Sequence, residues 1–257
     1  MVRVVFSDFD GTMLNYKKDK FSIDSYQLGV LKRLKDEGIK FCIVTGRGRA
    51  FFELFPDLLE IVDYVIASNG ACIYDVSNKK YIYNKKISDS SLDSLIRYAL
   101  DNDYMFLLNC LDKGYKCGSF GKGNVYEYNE NIDDDCEQFV LSFDKEKYDE
   151  VIEFVNNIGD IVINNSGVKP DRIFFDINDK DVSKGNSIKW LCDYLDVSLK
   201  NCIAFGDGIN DISMFEVVGK SVAVGNGNEE AKKIADVVVE SCHEDGMYKY
   251  IEKNILK

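Results

Sequence analysis

Two aspartates two residues apart, followed by a glycine and a threonine, make up the stretch Asp8-Phe9-Asp10-Gly11-Thr12. Carboxylates this close repel each other unless a cation or a proton sits between them. A divalent metal such as Mg²⁺ would hold both ionised, and a carboxylate beside Mg²⁺ can attack a phosphoryl group. Gly11 permits a tight turn and Thr12 can donate a hydrogen bond. The same residues also fit a solvated, Asp-rich turn after an edge strand, and the stretch by itself leaves both readings open.

Three further stretches offer compatible chemistry. Thr45-Gly46-Arg47 brings a hydroxyl, backbone N–H groups and a guanidinium that can all meet a phosphate, although Thr45 could equally satisfy its own turn. Lys184 precedes Gly185 at a helix start, where an ammonium and a helix N-terminus both attract an anion. An exposed lysine near a cap is the alternative there. Gly206-Asp207-Gly208-Ile209-Asn210-Asp211 pairs glycines, which let the backbone approach a ligand, with carboxylates suited to Mg²⁺. That composition also suits a turn capping the next helix.

Each stretch must be held in place, and the surrounding pattern indicates how. The apolar run Val2-Arg3-Val4-Val5 predicts a buried strand ending at Asp8. Residues 39–44, 64–67 and 201–205 predict further buried strands, ending at Thr45, at Ser68-Asn69-Gly70-Ala71 and at Gly206. Ser22 is a candidate N-cap for a helix with apolar positions Ile23, Tyr26, Val30, Leu31 and Leu34, and Gly38 suits its C′ position. Residues 13–22 are polar and Lys-rich, which predicts a flap over the first loop. A helical stretch over 49–59 should be broken or kinked at Pro56. Strand–helix alternation of this kind predicts an α/β fold built on a right-handed, mostly parallel, Rossmann-like sheet whose strand ends carry the ligand site.

Near residue 85 the character changes. Leu92, Leu95, Ile96 and Ala99 have helical spacing, as do Tyr148, Val151, Ile152 and Val155. Strands are expected at 104–110, within 114–128 around the Gly-rich turn 118–123, and at 138–143, 160–163 and 172–177. Two helices with clustered strands and no βαβ alternation predict an inserted α+β cap domain over 86–178. Residues 1–85 and 179–257 then form the core. In the cap, the turn 118–123 with Lys122 and the loop 166–171 are candidate contacts to a substrate. After 183 the alternation resumes, with a helix over 229–235, strands at 221–224 and 237–239, and a last helix from about Asp245.

Composition narrows the chemistry. The chain has 257 residues, a net charge of -12 and one histidine. A nucleic-acid groove is disfavoured, and so are His-based triads and zinc sites. Eight scattered cysteines without a C-x-x-C pair predict buried free thiols. With no signal-like segment and no apolar run of membrane-spanning length, a cytoplasmic protein without membrane association is expected. An anionic substrate would then need a local positive site.

The four motifs, in this order and each at an expected strand end, resemble the haloacid dehalogenase-like hydrolase superfamily, in particular its Cof-type sugar-phosphatase branch. Ser68-Asn69-Gly70-Ala71, Ala235-Asp236 and Glu244-Asp245-Gly246 fit that branch, as does the large cap between the second and third motifs. The resemblance implies a phosphatase acting on a small phosphorylated metabolite, a sugar phosphate, in a monomer or homodimer. By the same resemblance, Asp8 is the nucleophile and forms an aspartyl-phosphate, while Asp10 is general acid and then base. Mg²⁺ is held by Asp8, the Asp10 backbone carbonyl and Asp207, with Asp211 supporting it. Thr45 and Lys184 hold phosphoryl oxygens, and Gly46, Arg47, Asn69 and Asn210 are phosphate or substrate contacts. Relatives with similar caps also include phosphomutases, which pass the phosphoryl group to a second hydroxyl, and a non-catalytic binding protein could share the fold.

Overall fold

The computed structural model describes residues 2–14, 23–119, 124–130, 132 and 134–257. β1 (Val4–Ser7) is buried throughout and runs directly into the Asp8 loop. There follow α1 (Ser25–Asp36), β2 (Lys40–Val44), a 3₁₀ turn at Arg49–Leu54, α2 (Pro56–Leu59) and β3 (Tyr64–Ala67). β4 (Cys72–Asp75) and β5 (Lys80–Asn84) form a hairpin, then α3 (Asp89–Asp101), β6 (Met105–Cys110), β7 (Lys113–Cys117), β8 (Val125–Glu127) and β9 (Gln138–Asp144) succeed one another. α4 (Tyr148–Ile158), β10 (Ile161–Val168), β11 (Arg172–Asp179), α5 (Lys184–Tyr194) and β12 (Cys202–Gly206) come next. The chain closes with α6 (Ile212–Phe215), β13 (Lys220–Val224), α7 (Glu229–Ile234), β14 (Val237–Val239) and α8 (Gly246–Asn254).

Among the described residues, one sheet has the order β14-β13-β12-β1-β2-β3-β4-β5. Its members from β14 to β3 are parallel, and β4 and β5 add an antiparallel edge. The strands alternate between two apolar layers. Val5, Phe41, Ile43 and Phe205 pack with α1 and α8, whereas Val4, Phe6, Cys42, Val44 and Ala204 pack with α5, α6 and α7. Burial on both faces is what a parallel sheet covered by crossover helices requires. β1 lies between β2 and β12, so chain progression runs one way from β1 to β3 and the other way from β12 to β14. The crevice beyond the carboxyl ends of β1 and β12 is therefore a topological switch point, where open α/β sheets bind ligands.

The second sheet, β10-β11-β9-β6-β7-β8, is antiparallel except for the parallel β7–β8 pair. Its side chains alternate with period two. Phe106, Leu108, Phe139, Leu141, Phe143 and Phe175 face α3 and α4 through Leu95, Ala99, Val151 and Val155. The opposite positions, Leu107, Asn109, Gln138, Val140 and Asp176, line the cavity above Asp8.

Several local expectations change. α1 is capped by Asp24 rather than Ser22: the Asp24 carboxylate accepts the Gln27 N–H while the Gln27 side chain accepts the Asp24 N–H. Only that position has a reciprocal partner three residues on. Ser22 and the rest of 15–22 lie outside the described residues. Met13 and Leu14, placed in the flap by the sequence pattern, are buried, and both donate their N–H to Phe9 O. Pro56 separates the 3₁₀ turn from α2 and occupies its first turn, where a missing N–H leaves no bond unmade. The β4–β5 hairpin has no clear alternation to announce it, since β5 is half-exposed along its length. Residues 120–123, including Lys122, lie outside the described residues. Residues 166–168 are strand rather than loop, and none of 167–171 is among the described residues that line the cavity. The tip 169–171 sits beyond Arg172, roughly 13 Å of strand from Asp176. All eight cysteines are free, and all but Cys117 are buried. No helix among the described residues is long and apolar enough to cross a membrane.

Candidate active site

Phe9 fixes the first loop. It is fully buried, with its ring edge-on to Phe52 at 5.1 Å and Phe55 at 5.3 Å. Burial of one phenylalanine contributes about 1.5–3 kcal/mol. With Phe9 pinned inward, Asp8 and Asp10 point to different places. Asp8 continues the β1 ladder, donating its N–H to Phe205 O at 2.9 Å, and its carboxylate enters the switch-point crevice. Asp10 instead accepts both arms of the Arg47 guanidinium, at 2.6 and 2.7 Å. Arg47 also lies over the Phe51 ring at 4.0 Å.

Lys184, in the first turn of α5, is 1% exposed. Its ammonium donates to Asp8 Oδ1 at 2.5 Å and to Asp211 Oδ1 at 2.5 Å. The alternative of an exposed lysine is thus excluded. The other Asp211 oxygen accepts the Asp207 and Gly208 N–H groups, both at 2.8 Å, which shapes the turn after β12. Asp207 Oδ1 accepts the Thr12 hydroxyl at 3.0 Å. Gly11 has a φ of +82°, and a Cβ there would fall 2.6 Å from Asp207 Oδ2. Gly11 is therefore needed for backbone freedom and for room.

Asp8, Asp207 and Asp211 each offer an oxygen within 4.8 Å of the others. Burial pushes the Asp8 carboxyl well above the usual range; Lys184 opposes this, while Asp211, Asp207 and Asp10 add to it. Asp207 is pushed up to about 6, by burial first and then by Asp211. Burial alone would lower Lys184, but Asp211 and Asp8 outweigh it and hold the ammonium above its ordinary value. Three carboxylates share one ammonium, so the cluster carries excess negative charge that a cation would offset. The donors are all oxygen, without thiol or imidazole. That set fits a hard ion such as Mg²⁺.

Thr45 is fully buried, and its Oγ1 accepts the Arg47 N–H at 3.1 Å. Ser68, Asn69 and Gly70 have successive φ values of 52°, 59° and 107°. Two non-glycine residues in the left-handed region are strained. The turn is held by Ser68 N–H to Arg47 O, Asn69 N–H to Thr45 O, and Asn178 Nδ2 to Ser68 O. It aims the Asn69 side chain between Asn210, which donates to Asn69 Oδ1 at 3.1 Å, and Asp176, which accepts from Asn69 Nδ2 at 3.3 Å.

These groups surround a cavity of about 430 Å³. Asp8, Asp10, Gly46, Arg47, Asp207 and Asn210 line it, and Thr45, Asn69, Lys184 and Asp211 stand behind that lining. The second sheet adds groups that sequence reasoning missed. Gln138 Nε2 donates to Gly46 O at 3.0 Å, and Gln138 Oε1 accepts from Asn109 Nδ2 at 2.5 Å. Glu137, fully buried at the junction of the two sheets, accepts the Leu111 N–H at 2.8 Å and faces Ser68 and Cys72. Burial pushes its carboxyl up to about 8. Asn226 Nδ2 donates to Gly11 O at 2.7 Å and steadies the first loop from the turn after β13. A usable signal existed for Gln138 and Asp176: polar residues at alternate positions of otherwise aromatic strands.

A family model described as haloacid dehalogenase-like hydrolase matches residues 5–251. A 5-amino-6-(5-phospho-D-ribitylamino)uracil phosphatase of Bacillus subtilis is 26% identical, over 99% of this chain and 96% of that protein. A phosphoglycolate phosphatase of Methanobrevibacter smithii is 28% identical, over 97% of each. The crystal structure of a haloacid dehalogenase-like hydrolase from Bacteroides thetaiotaomicron superposes with a TM-score of 0.85 at 25% identity, covering 98% of this chain and 99% of that one.

Proposed function

Since the chain belongs to the haloacid dehalogenase-like hydrolase family, in its Cof-type branch, and is a phosphoric monoester hydrolase, we propose that it is a Mg²⁺-dependent phosphatase of small sugar or polyol phosphates with Asp8 as nucleophile. The observation that carries this reading is the buried Asp8–Lys184–Asp211 chain beside Asp207 at the switch point. Asp8, Asp207 and Asp211, with the Asp10 backbone carbonyl, would hold Mg²⁺, which supplies charge neutralisation and polarisation of the phosphoryl group.

The chain's own residues then divide the work. Lys184 keeps Asp8 oriented and offsets the charge of an approaching phosphate. The Asp8 carboxylate attacks phosphorus, an aspartyl-phosphate forms and the ester P–O bond breaks. Asp10 gives its proton to the departing alkoxide and then takes one from the water that attacks the aspartyl-phosphate, which releases inorganic phosphate and restores Asp8. An incoming phosphate competes with Asp10 for the Arg47 fork. Thr45 and the Gly46 backbone position the phosphoryl oxygens, with Asn69 and Asn210 steadying that wall.

Residues 86–178 act as the cap that excludes water and selects the alcohol. Support comes from the inner face of the second sheet, which forms one wall of the cavity. The names of the two relatives differ in the alcohol released, one ribityl-bearing and one glycolate, so similarity alone does not choose it.

The test is phosphate release from a panel of sugar and polyol phosphates, with Mg²⁺ and with EDTA, for the wild type and Asp8→Asn. Turnover should require the metal and vanish in the variant. Activity that survives either EDTA or Asp8→Asn overturns the mechanism.

A further inference from the structure

The Lys184 ammonium meets oxygens from two other parts of the fold at once. Asp8 is registered on β12, since it donates its N–H to Phe205 O at 2.9 Å. Asp211 is registered at the end of the same strand by the Asp207 and Gly208 N–H groups. Lys184 arrives separately, at the start of α5. The apolar face of α5, with Ile188, Leu191 and Cys192, packs into one layer of the sheet, and such packing is non-directional. A directional bond is made at the residue after Lys184. Ser213 Oγ, on α6, accepts the Gly185 N–H at 3.2 Å and donates to Asn210 O at 3.2 Å. One hydroxyl thus ties the first turn of α5 to the 207–211 turn. The backbones meet closely there: a Cβ on Gly185 would fall 2.1 Å from Ser213 O, and a Cβ on Gly70 would fall 2.5 Å from Ser183 O. The start of α5 is therefore held against both α6 and the Ser68-Asn69-Gly70 turn. Within the helix, Ser183 Oγ accepts the Asn186 N–H at 3.1 Å, so two of the first-turn donors are satisfied, one by the cap and one by Ser213.

Resting on the hydrolase reading above, we propose that Ser213 is a positioning residue for phosphoryl transfer: its hydroxyl sets how α5 sits against the 207–211 turn, and so holds the Lys184 ammonium on Asp8 and Asp211 together. Both of those contacts are 2.5 Å, which leaves little room for the start of α5 to shift. Through the Asn210 carbonyl the same hydroxyl also steadies the residue whose side chain donates to Asn69 Oδ1 at 3.1 Å. Ser213 acts through these groups and needs no contact with the substrate. Without the hydroxyl, the Gly185 N–H and the Asn210 carbonyl lose a shared partner, and the start of α5 is free to settle away from the turn. Lys184 then orients Asp8 less well for attack. Misplacing a reacting group by about 1 Å can cost on the order of 10²-fold in rate. Binding of the ester draws on Thr45, Gly46 and Arg47 from another loop, so the loss falls on kcat rather than on KM.

The test compares Ser213→Ala and Ser213→Thr with the wild type, at a temperature at which circular dichroism shows each to be folded. p-Nitrophenyl phosphate with Mg²⁺ is the substrate, and hydrogen exchange of the Gly185 amide, read by NMR, reports the bond itself. Ser213→Ala should lower kcat at least about tenfold while KM changes by less than about threefold. Ser213→Thr keeps the hydroxyl and should bring kcat back to within about threefold of the wild type. The Gly185 amide should exchange at least about tenfold faster in Ser213→Ala than in the wild type. Ser213→Cys, of nearly the same shape with a weaker hydrogen-bonding group, takes the place of Ser213→Ala if that variant does not fold, on the same criteria. A kcat within about twofold of the wild type in Ser213→Ala overturns the proposal, and so does a loss confined to KM. It is equally overturned by Ser213→Thr being no better than Ser213→Ala, or by unaltered exchange at Gly185. Those results leave a metal-dependent, Asp8-dependent hydrolase standing; a wild type that releases phosphate from neither p-nitrophenyl phosphate nor any sugar or polyol phosphate removes that reading too.

Discussion

Gln138 Nε2 donates to Gly46 O across 3.0 Å, so a side chain of the second sheet holds the backbone of the Thr45-Gly46-Arg47 loop. Asn178 makes a similar bond to Ser68 O at 3.0 Å. The two sheets are thus joined at the loops that follow β2 and β3 beside the cavity.

Replacing the fully buried Gln138 with leucine removes the bond to Gly46 and leaves the buried Asn109 amide without its acceptor. Loss of such a buried partner costs about 1–3 kcal/mol. We expect a lower melting temperature and a KM raised more than kcat is lowered, for any sugar phosphate the wild type accepts. Unchanged KM would show that the bond does not position the loop.

Lys184→Met leaves Asp8 and Asp211 buried without their shared ammonium. Breaking a buried ion pair from one side is worth about 3–5 kcal/mol of stability. Calorimetry in EDTA should show this loss, and Mg²⁺ should return more of it to the variant than it adds to the wild type. Phosphate release should fall below detection in both conditions.

Gly11→Ala forces a Cβ to within 2.6 Å of Asp207 Oδ2 at a φ of +82°. Asp207 must move, so titration calorimetry should report weaker Mg²⁺ binding. The melting temperature should drop by only a few degrees, because the strained position costs about 1–2 kcal/mol.

Glu137 supplies a pH dependence that is separate from the metal cluster. Its carboxyl is pushed by burial from 4.5 up to about 8. The folded state therefore keeps a proton that the unfolded chain has already released over that interval. Stability from this group is present at the acid end of the window and declines as pH rises from 4.5 to about 8. Glu137→Gln, nearly isosteric, should be at least as stable as the wild type at pH 8.5, with the advantage shrinking toward pH 5. A difference that runs the other way with pH would contradict the assignment.

The first loop, the Thr45 loop, Lys184 and the Asp207 turn were legible because each directly follows a short apolar strand or opens a helix with clear spacing. Such local features fix which end of the sheet a residue reaches. Asp10 and Arg47 were legible as charged groups of one candidate site, but not as partners of each other, because that pairing depends on Phe9 being pinned by Phe52 and Phe55. Asn109, Gln138 and Asp176 come from three strands that meet only through β6–β9 and β9–β11 pairing. Which face of those strands looks inward is a tertiary outcome, settled by where α3 and α4 cover the sheet. Met13 and Leu14 were obscured by the lysines after them, and Tyr248, which donates its hydroxyl to Met13 O, lies near the other end of the chain.

The central position of β1 also has a kinetic consequence. Its ladder on one side is with β2, but on the other it is with β12, and Thr12 and Asp207 are 195 residues apart. At a synthesis rate of about 5–20 residues per second, β1 waits roughly 10–40 s for that neighbour. During this interval the nascent chain carries a half-paired strand edge with Asp8 at its tip, while the second sheet, whose strands are closer in sequence, can form first. High contact order of this kind slows folding. Chains cut short before Gly206 should therefore accumulate as aggregation-prone species with an ordered second sheet and an open first one.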